Sequence, residues 1–213
     1  MIGVTDAGTD TDASAPVDEA AAVSDDRIVL VAPGLRTTDG ATGTAVSLPA
    51  SYTAAVVAGR LSTLAPHVSL TNKVVPIDDL VPRYNTTTYT NLLQNRLLLV
   101  RPKVGFQIVK GITTDAGAFT QISVRRIVDF AKAGVRLGSD PYIGRLNNAR
   151  VRAALRATLD GFLSQMVLDE MLVSYDLDVT ATRDQEIRGI AVVTMTLRPT
   201  FSIDFIRVTM NLE

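Results

Sequence analysis

Two carboxylate pairs, Asp78-Asp79 and Asp169-Glu170, are the residues from which acid–base chemistry would have to start. A general acid and base must converge on one reacting bond, and Asp169 and Glu170, as neighbours on a helix, would point about 100° apart. They read as a solvated face. Zinc chemistry finds no ligand cluster, because the chain has one histidine, His67, and no cysteine. "GLRTTDGATG" contains Gly34, Gly40 and Gly43 but lacks the Gly-Lys-Ser/Thr ending of a phosphate-cradling loop. There is no Gly-x-Ser-x-Gly nucleophile elbow either. The expectation is a protein that is not an enzyme and needs no cofactor or metal.

Charge is the stronger signal. Arg125, Arg126, Lys132, Arg136, Arg145, Arg150, Arg152 and Arg156 fall within 32 residues, with Asp129 and Asp140 as the only acids among them. Two readings stay open, a solvated polar face and a docking surface for something acidic. Nucleic acid is the less attractive partner, since the stretch offers few aromatic residues for stacking and no groove-reading motif.

The elements that would carry these residues follow from composition and period. The 213 residues are 46% hydrophobic and 20% charged, enough for one buried core. No apolar run approaches the roughly 18–20 residues that cross a bilayer, and the first 26 residues are acidic where a signal peptide would be basic and then apolar. Synthesis in the cytoplasm without membrane insertion is expected. Those first 26 residues hold seven of the 22 acidic groups and no Lys or Arg, leaving 15 acidic against 21 basic residues beyond them. Rich in Ala, Asp, Thr and Ser, they read as a flexible arm, in which "MIGVTDA" is the one strand-like segment.

A core is expected over 27–199. "RIVLVAPG" (27–34) suits a buried strand and the following "LRTTDGATGTAVS" a loop. Residues 48–66 read as a helix entered at Pro49, whose small residues would admit a close backbone, and 67–85 as irregular. Residues 86–96 read as a short helix capped by a Thr, and 97–102 and 104–111 as two strands. Helices are expected over 121–137 and 147–172; the second carries Val151, Leu155, Leu159, Phe162 and Met166 as one stripe, with Gly161 suggesting a tight crossing. Residues 172–181 and 189–199 read as an antiparallel pair around the turn "TRDQEI". The fold class is α+β, a mixed β-sheet packed by several helices, with extended N- and C-terminal arms.

Residues 200–213 pose the main question. From Ile206 to Glu213 apolar and polar residues alternate strictly, the pattern of a strand with one buried face. Phe201, Ile203 and Phe205 are odd, whereas Ile206, Val208, Met210 and Leu212 are even, so either a bulge falls at Phe205-Ile206 or the strand serves two environments.

In order and spacing, "RIVLVAPG", "LPASYTAAVVAGRLSTLAPHVSLTNKVV", "GFQIVKGITT", "VRRIVDF" with "YIGRLNNARVRAAL", and "RPTFSIDFIRVTMNL" resemble the C-terminal half of contractile tail sheath proteins of phages and related injection machines. The resemblance covers about residues 27–213. It implies a structural subunit that polymerises as a helical sheath of stacked rings around an inner tail tube and contracts to drive the tube out. It also implies baseplate and tail terminator proteins as further partners, and assembly into a phage tail or injection particle after synthesis in the bacterial cytoplasm. The arm 200–213 would then be donated to a neighbouring subunit's sheet through Phe201, Ile203, Phe205, Ile206, Val208, Met210 and Leu212, with Pro199 and Thr200 as hinge. Arg125, Lys132 and Arg136 would touch the tube or a neighbour. The alternative is a terminator or adaptor that caps a tail and binds sheath or tube subunits without polymerising. Members of that family are usually longer, so the chain reads as a minimal subunit or as one piece of a larger protein.

Overall fold

Val29, Leu30, Val31 and Ala32 are all at most 3% exposed, as a continuous apolar run with no polar face requires. The structure, a computed structural model, describes residue 17, residue 20 and residues 22–211. Most of the expected arm 1–26, its strand-like segment 1–7, and Leu212 lie outside the described residues. The chain divides into two units, one formed by 1–125 with 202–213 and the other by 126–201.

In the first unit, strand β1 (Val31–Ala32) pairs in parallel with β6 (Leu98–Lys103), which pairs antiparallel with β7 (Gly105–Ile108), and β7 with β4 (Val74–Val75). This four-stranded sheet is the mixed one. A three-stranded antiparallel sheet follows the order β3 (Ala45–Leu48), β2 (Gly34–Thr38), β5 (Asp79–Val81). The stretch expected as loop after Pro33 is therefore largely a hairpin. Its signal was weak because, beyond the buried Gly34 and Leu35, β2 and β3 alternate exposed and half-buried positions that are mostly polar or small. Gly34 is required by crowding: a Cβ there would lie 2.5 Å from the Leu48 carbonyl oxygen and 3.0 Å from that of Val81.

Helix α1 (Ala50–Ser62) enters at Pro49 and buries Ala50, Thr53, Ala54 and Val57, packing on β1 and β2. Helix α2 (Thr86–Gln94) is capped by Asn85 rather than by a Thr; the Asn85 side chain accepts from the Thr88 N–H at 2.8 Å. One buried cluster of this unit gathers Val31, Ala54, Val57, Leu70, Leu98, Val100 and Ile108, and a second gathers Ala20, Leu30, Ala32, Leu92, Leu97 and Leu99. Ala20, inside the stretch read as a flexible arm, is 1% exposed.

The second unit is built on helix α3 (Ile122–Ser139), whose first turn belongs to the first unit, and helix α4 (Ala149–Leu168). Asn148 caps α4 by accepting from the Val151 N–H at 2.9 Å. Ile127, Ala131 and Val135 of α3 meet Leu155, Leu159, Leu163 and Met166 of α4 in one cluster. Of the expected stripe, Leu155, Leu159 and Met166 are in the cluster; Leu163 takes the place of Phe162, which is partly buried at its margin, and Val151 is only half-buried and outside it. The tight crossing falls at Gly134, not Gly161: a Cβ on Gly134 would overlap the Phe162 ring, whereas nothing lies within 4 Å of one on Gly161.

Strands β8 (Leu172–Thr180) and β9 (Val192–Pro199) form the antiparallel pair and cover α4. The polar turn between them contains a short helix, α5 (Arg183–Ile187). There Thr182 and Gln185 cap each other reciprocally, a Thr-x-x-Gln pattern legible in the sequence but read as plain turn. The fold is thus α+β. Among the described residues, no helix is long and apolar enough to cross a membrane.

Candidate subunit-linking site

The residues that could have done acid–base chemistry are tied up structurally. Asp78 accepts from the Thr37 hydroxyl at 2.6 Å. The guanidinium of Arg83, 2.7 Å from Asp79, holds the Asp79 carboxyl below the usual carboxylate range. Asp169 ends α4 and accepts from Gln165 at 2.8 Å, while Glu170 sits in the left-handed region at φ 60°. His67 is half-buried, and no group of three or more His, Asp and Glu side chains able to hold a metal occurs among the described residues.

The expected linking arm stands out by contrast. Residues 200–211 include no strand, and six of the apolar residues named for donation lie in the open, from Phe201 at 60% exposed to Met210 at 85%. In water this is unfavourable surface, since fully burying each such side chain is worth about 1.5–3 kcal/mol. Among the described residues, 205–211 make no hydrogen bond at all.

Its root, however, is fixed. Thr200 N–H donates to the Met171 carbonyl at 3.1 Å, and Pro199 pairs with Leu172 at the end of the hairpin, so both residues expected to be a hinge are anchored on one side. Beyond them Gln121 brackets the Ser202 peptide, donating to its carbonyl at 3.0 Å and accepting from its N–H at 3.0 Å. The Asp204 carboxylate, only 8% exposed, accepts from Gln121 and from the Thr71 hydroxyl at 2.9 Å each, with Lys110 Nζ 3.6 Å away. Thr71 is itself held by the Gly111 N–H at 3.1 Å and the Ser69 hydroxyl at 3.0 Å. Lys110 also lies over the Phe205 ring, 5.2 Å from its centroid. The phase change seen in the sequence therefore has a physical cause: Ser202 and Asp204 turn inward to this seat, and the apolar positions shift from odd to even once the chain leaves it. No spacing rule could have found the seat, because its partners are 81 to 133 positions apart.

The N-terminal stretch is fixed beside the same helix start. Arg125 Nη1 donates to Asp26 at 2.7 Å and its guanidinium lies 4.9 Å from the Phe119 ring centroid, while Thr114 exchanges hydrogen bonds of 2.9 and 3.0 Å with the Asp25 backbone. Of the three residues expected to touch a tube or neighbour, Arg125 is thus mostly covered, with a side chain 11% exposed. Lys132 and Arg136 are exposed on α3.

The hairpin offers the complementary feature. The sheet of β8 and β9 has only two strands, so each has an outer edge, of nine and eight residues. The edges of the other two sheets are β1 and β4, of two residues each, and β3 and β5, of four and three. On the hairpin, Leu177, Val179, Met195 and Leu197 face the α4 cluster, while Ser174, Asp176, Asp178, Thr194, Thr196 and Arg198 are exposed.

Comparison with known proteins shows that this fold, a two-helix unit covered by one open hairpin and followed by a bare apolar segment, is shared with proteins of contractile sheath assemblies. Residues 114–213 match the family model for the phage tail sheath C-terminal domain. Among solved structures, a chain of the anti-feeding prophage (AFP) baseplate aligns with all of this chain at a TM-score of 0.79 and 16% identity. The AFP helical sheath in its contracted state does so with the same values. The sheath complex of an extracellular contractile injection system, PVC, also contracted, covers 92% at a TM-score of 0.74 and 15% identity. The chain spans 59–61% of the length of these proteins. No curated protein sequence matches it.

Proposed function

We propose that the chain is a structural subunit that polymerises into a contractile sheath around an inner tail tube and drives ejection of that tube by contracting. The observation that carries this reading is the bare apolar segment 205–211, with its strict alternation, in a molecule that also has an open two-stranded sheet. Seven extended residues span about 23 Å, which among the described residues only an edge of β8 or β9 can match in length. The arm is donated to the hairpin of a neighbouring copy, where main-chain bonds give attachment and alternate side chains give register.

Magnitudes suit a linker within a lattice. Burying Ile206, Val208, Met210 and Leu212 is worth about 6–12 kcal/mol, and ordering seven residues costs about 7–14 kcal/mol. Added hydrogen bonds at about 0.5–1.5 kcal/mol each make one link marginally stable. Many links at high effective concentration make an array. The seat at Gln121 and Asp204 shortens the free tether, so the arm turns at Phe205, beyond the expected hinge Pro199-Thr200. Tied neighbours can then rotate as rigid bodies during contraction. Lys132 and Arg136 are left as the tube or neighbour contact. Exposed charge pairs of about 0–1 kcal/mol suit a surface that must release.

The test is removal of residues 205–213 followed by electron microscopy and a thermal melt. A sheath subunit keeps its melting temperature and no longer forms tubes or stacked rings. A capping terminator or adaptor keeps its binding to tail subunits, and unchanged assembly of the truncated chain would overturn the sheath reading.

A further inference from the structure

The two free edges of the hairpin differ in charge. On the exposed face β8 presents Asp176 and Asp178, paired across the ladder with Thr196 and Thr194. Among the described residues neither carboxylate has an ion-pair partner. On the same face β9 presents Arg198 beside its two threonines and no acid. The segment that must add to one of these edges carries one cation, Arg207, flanked by Ile206 and Val208.

Side chains alternate with a period of two, so placing Ile206, Val208 and Met210 on the buried face puts Arg207 on the exposed one, in the row that β8 and β9 display. This holds whether the added strand runs parallel or antiparallel. Resting on the reading that the arm is donated to a second copy's hairpin, we infer that it adds to the β8 edge, with Arg207 set against the second copy's Asp176 and Asp178. On the β9 edge Arg207 meets threonines or the like charge of Arg198. Opposite charges across adjacent strands favour pairing by roughly 1.5- to 5-fold each, and like charges oppose it. The charge selects the edge, and apolar burial supplies the adhesion. A lattice built by strand addition needs such a selector, because a two-stranded sheet otherwise accepts its partner on either side.

The test is a charge-swap cycle with a labelled peptide of residues 203–213 as probe and fluorescence anisotropy on the full chain as readout. The four pairings combine the native or Arg207→Asp peptide with the native chain or its Asp176→Lys, Asp178→Lys double variant. Each mismatched pairing is expected to bind about fivefold more weakly than native with native, and the doubly swapped pairing to recover most of that loss. Because both aspartates are exposed, the variant chain keeps its thermal midpoint. Independent, additive losses overturn the edge assignment, as does tighter binding of the Arg207→Asp peptide to the native chain, which places the strand beside Arg198. Because a single link is only marginally stable, the chain is titrated against the peptide up to about the millimolar effective concentration of a tethered neighbour; absence of binding by any peptide at that concentration overturns strand donation itself, a different failure from binding without charge coupling.

Discussion

Gln121 donates its side-chain amide to the Asp204 carboxylate over 2.9 Å, across 83 positions of sequence. The same side chain bonds both polar atoms of the Ser202 backbone, so one glutamine fixes where the arm leaves the body.

Replacing Gln121 by Ala removes three hydrogen bonds and strands the Asp204 carboxylate at 8% exposure, with Thr71 and Lys110 remaining. A destabilisation of about 1–3 kcal/mol follows from leaving a covered acceptor short of a donor. The more specific consequence is local. Amide exchange at Ser202 should quicken by far more than exchange at the α1 core, and trypsin should cut at Arg207 sooner. Equal protection of Ser202 in variant and parent would show that the seat does not hold the arm.

Gly134 and Gly161 make a matched pair with opposite expected effects. Alanine at 134 drives a methyl group into the Phe162 ring, and overpacking of this kind costs about 1–3 kcal/mol. Alanine at 161 meets open space, so helix propensity alone acts and the chain gains up to about 1 kcal/mol. Chemical denaturation of both variants measures the difference, and equal midpoints would remove the helix contact assigned to Gly134.

What the sequence discloses, and what it hides, divides by range. Helices α1, α3 and α4 and the β8–β9 pair were legible because each buries one periodic face, as Leu155, Leu159 and Met166 illustrate. The exposed apolar segment 205–211 was legible as a pattern because Ile206, Val208 and Met210 alternate without interruption. The β2–β3 hairpin was not, because it contributes little to the core and its residues resemble loop. Phe162 illustrates a finer limit: its helical position predicts burial against α4's neighbours but cannot say that the space beneath it is a missing Cβ on Gly134. The arm's seat was illegible for a third reason. Thr71, Lys110, Gln121 and Asp204 are unremarkable polar residues whose meeting is decided by tertiary structure alone.

A pH dependence follows from Glu186. Its carboxylate accepts from Arg152 at 2.8 Å and from Arg183 at 3.2 Å, and the Arg152 hydrogen bond foremost holds its pKa below the usual carboxylate range. With the folded value below the unfolded one, the unfolded chain binds the proton more readily. The stabilisation is therefore complete above the ordinary glutamate pKa of about 4.3 and is lost as pH falls through the folded value. Glu186→Gln removes the charge but keeps an acceptor for Arg152, whose guanidinium also donates to Asn147 at 2.9 Å. At pH 7 the variant should melt below the parent, and the gap should close as acid is added, because the parent's Glu186 is then neutral as well. A gap that stays constant down to pH 3, measured by thermal melts at fixed ionic strength, would mean that the charge on Glu186 contributes nothing and that only its shape supports the α5 turn.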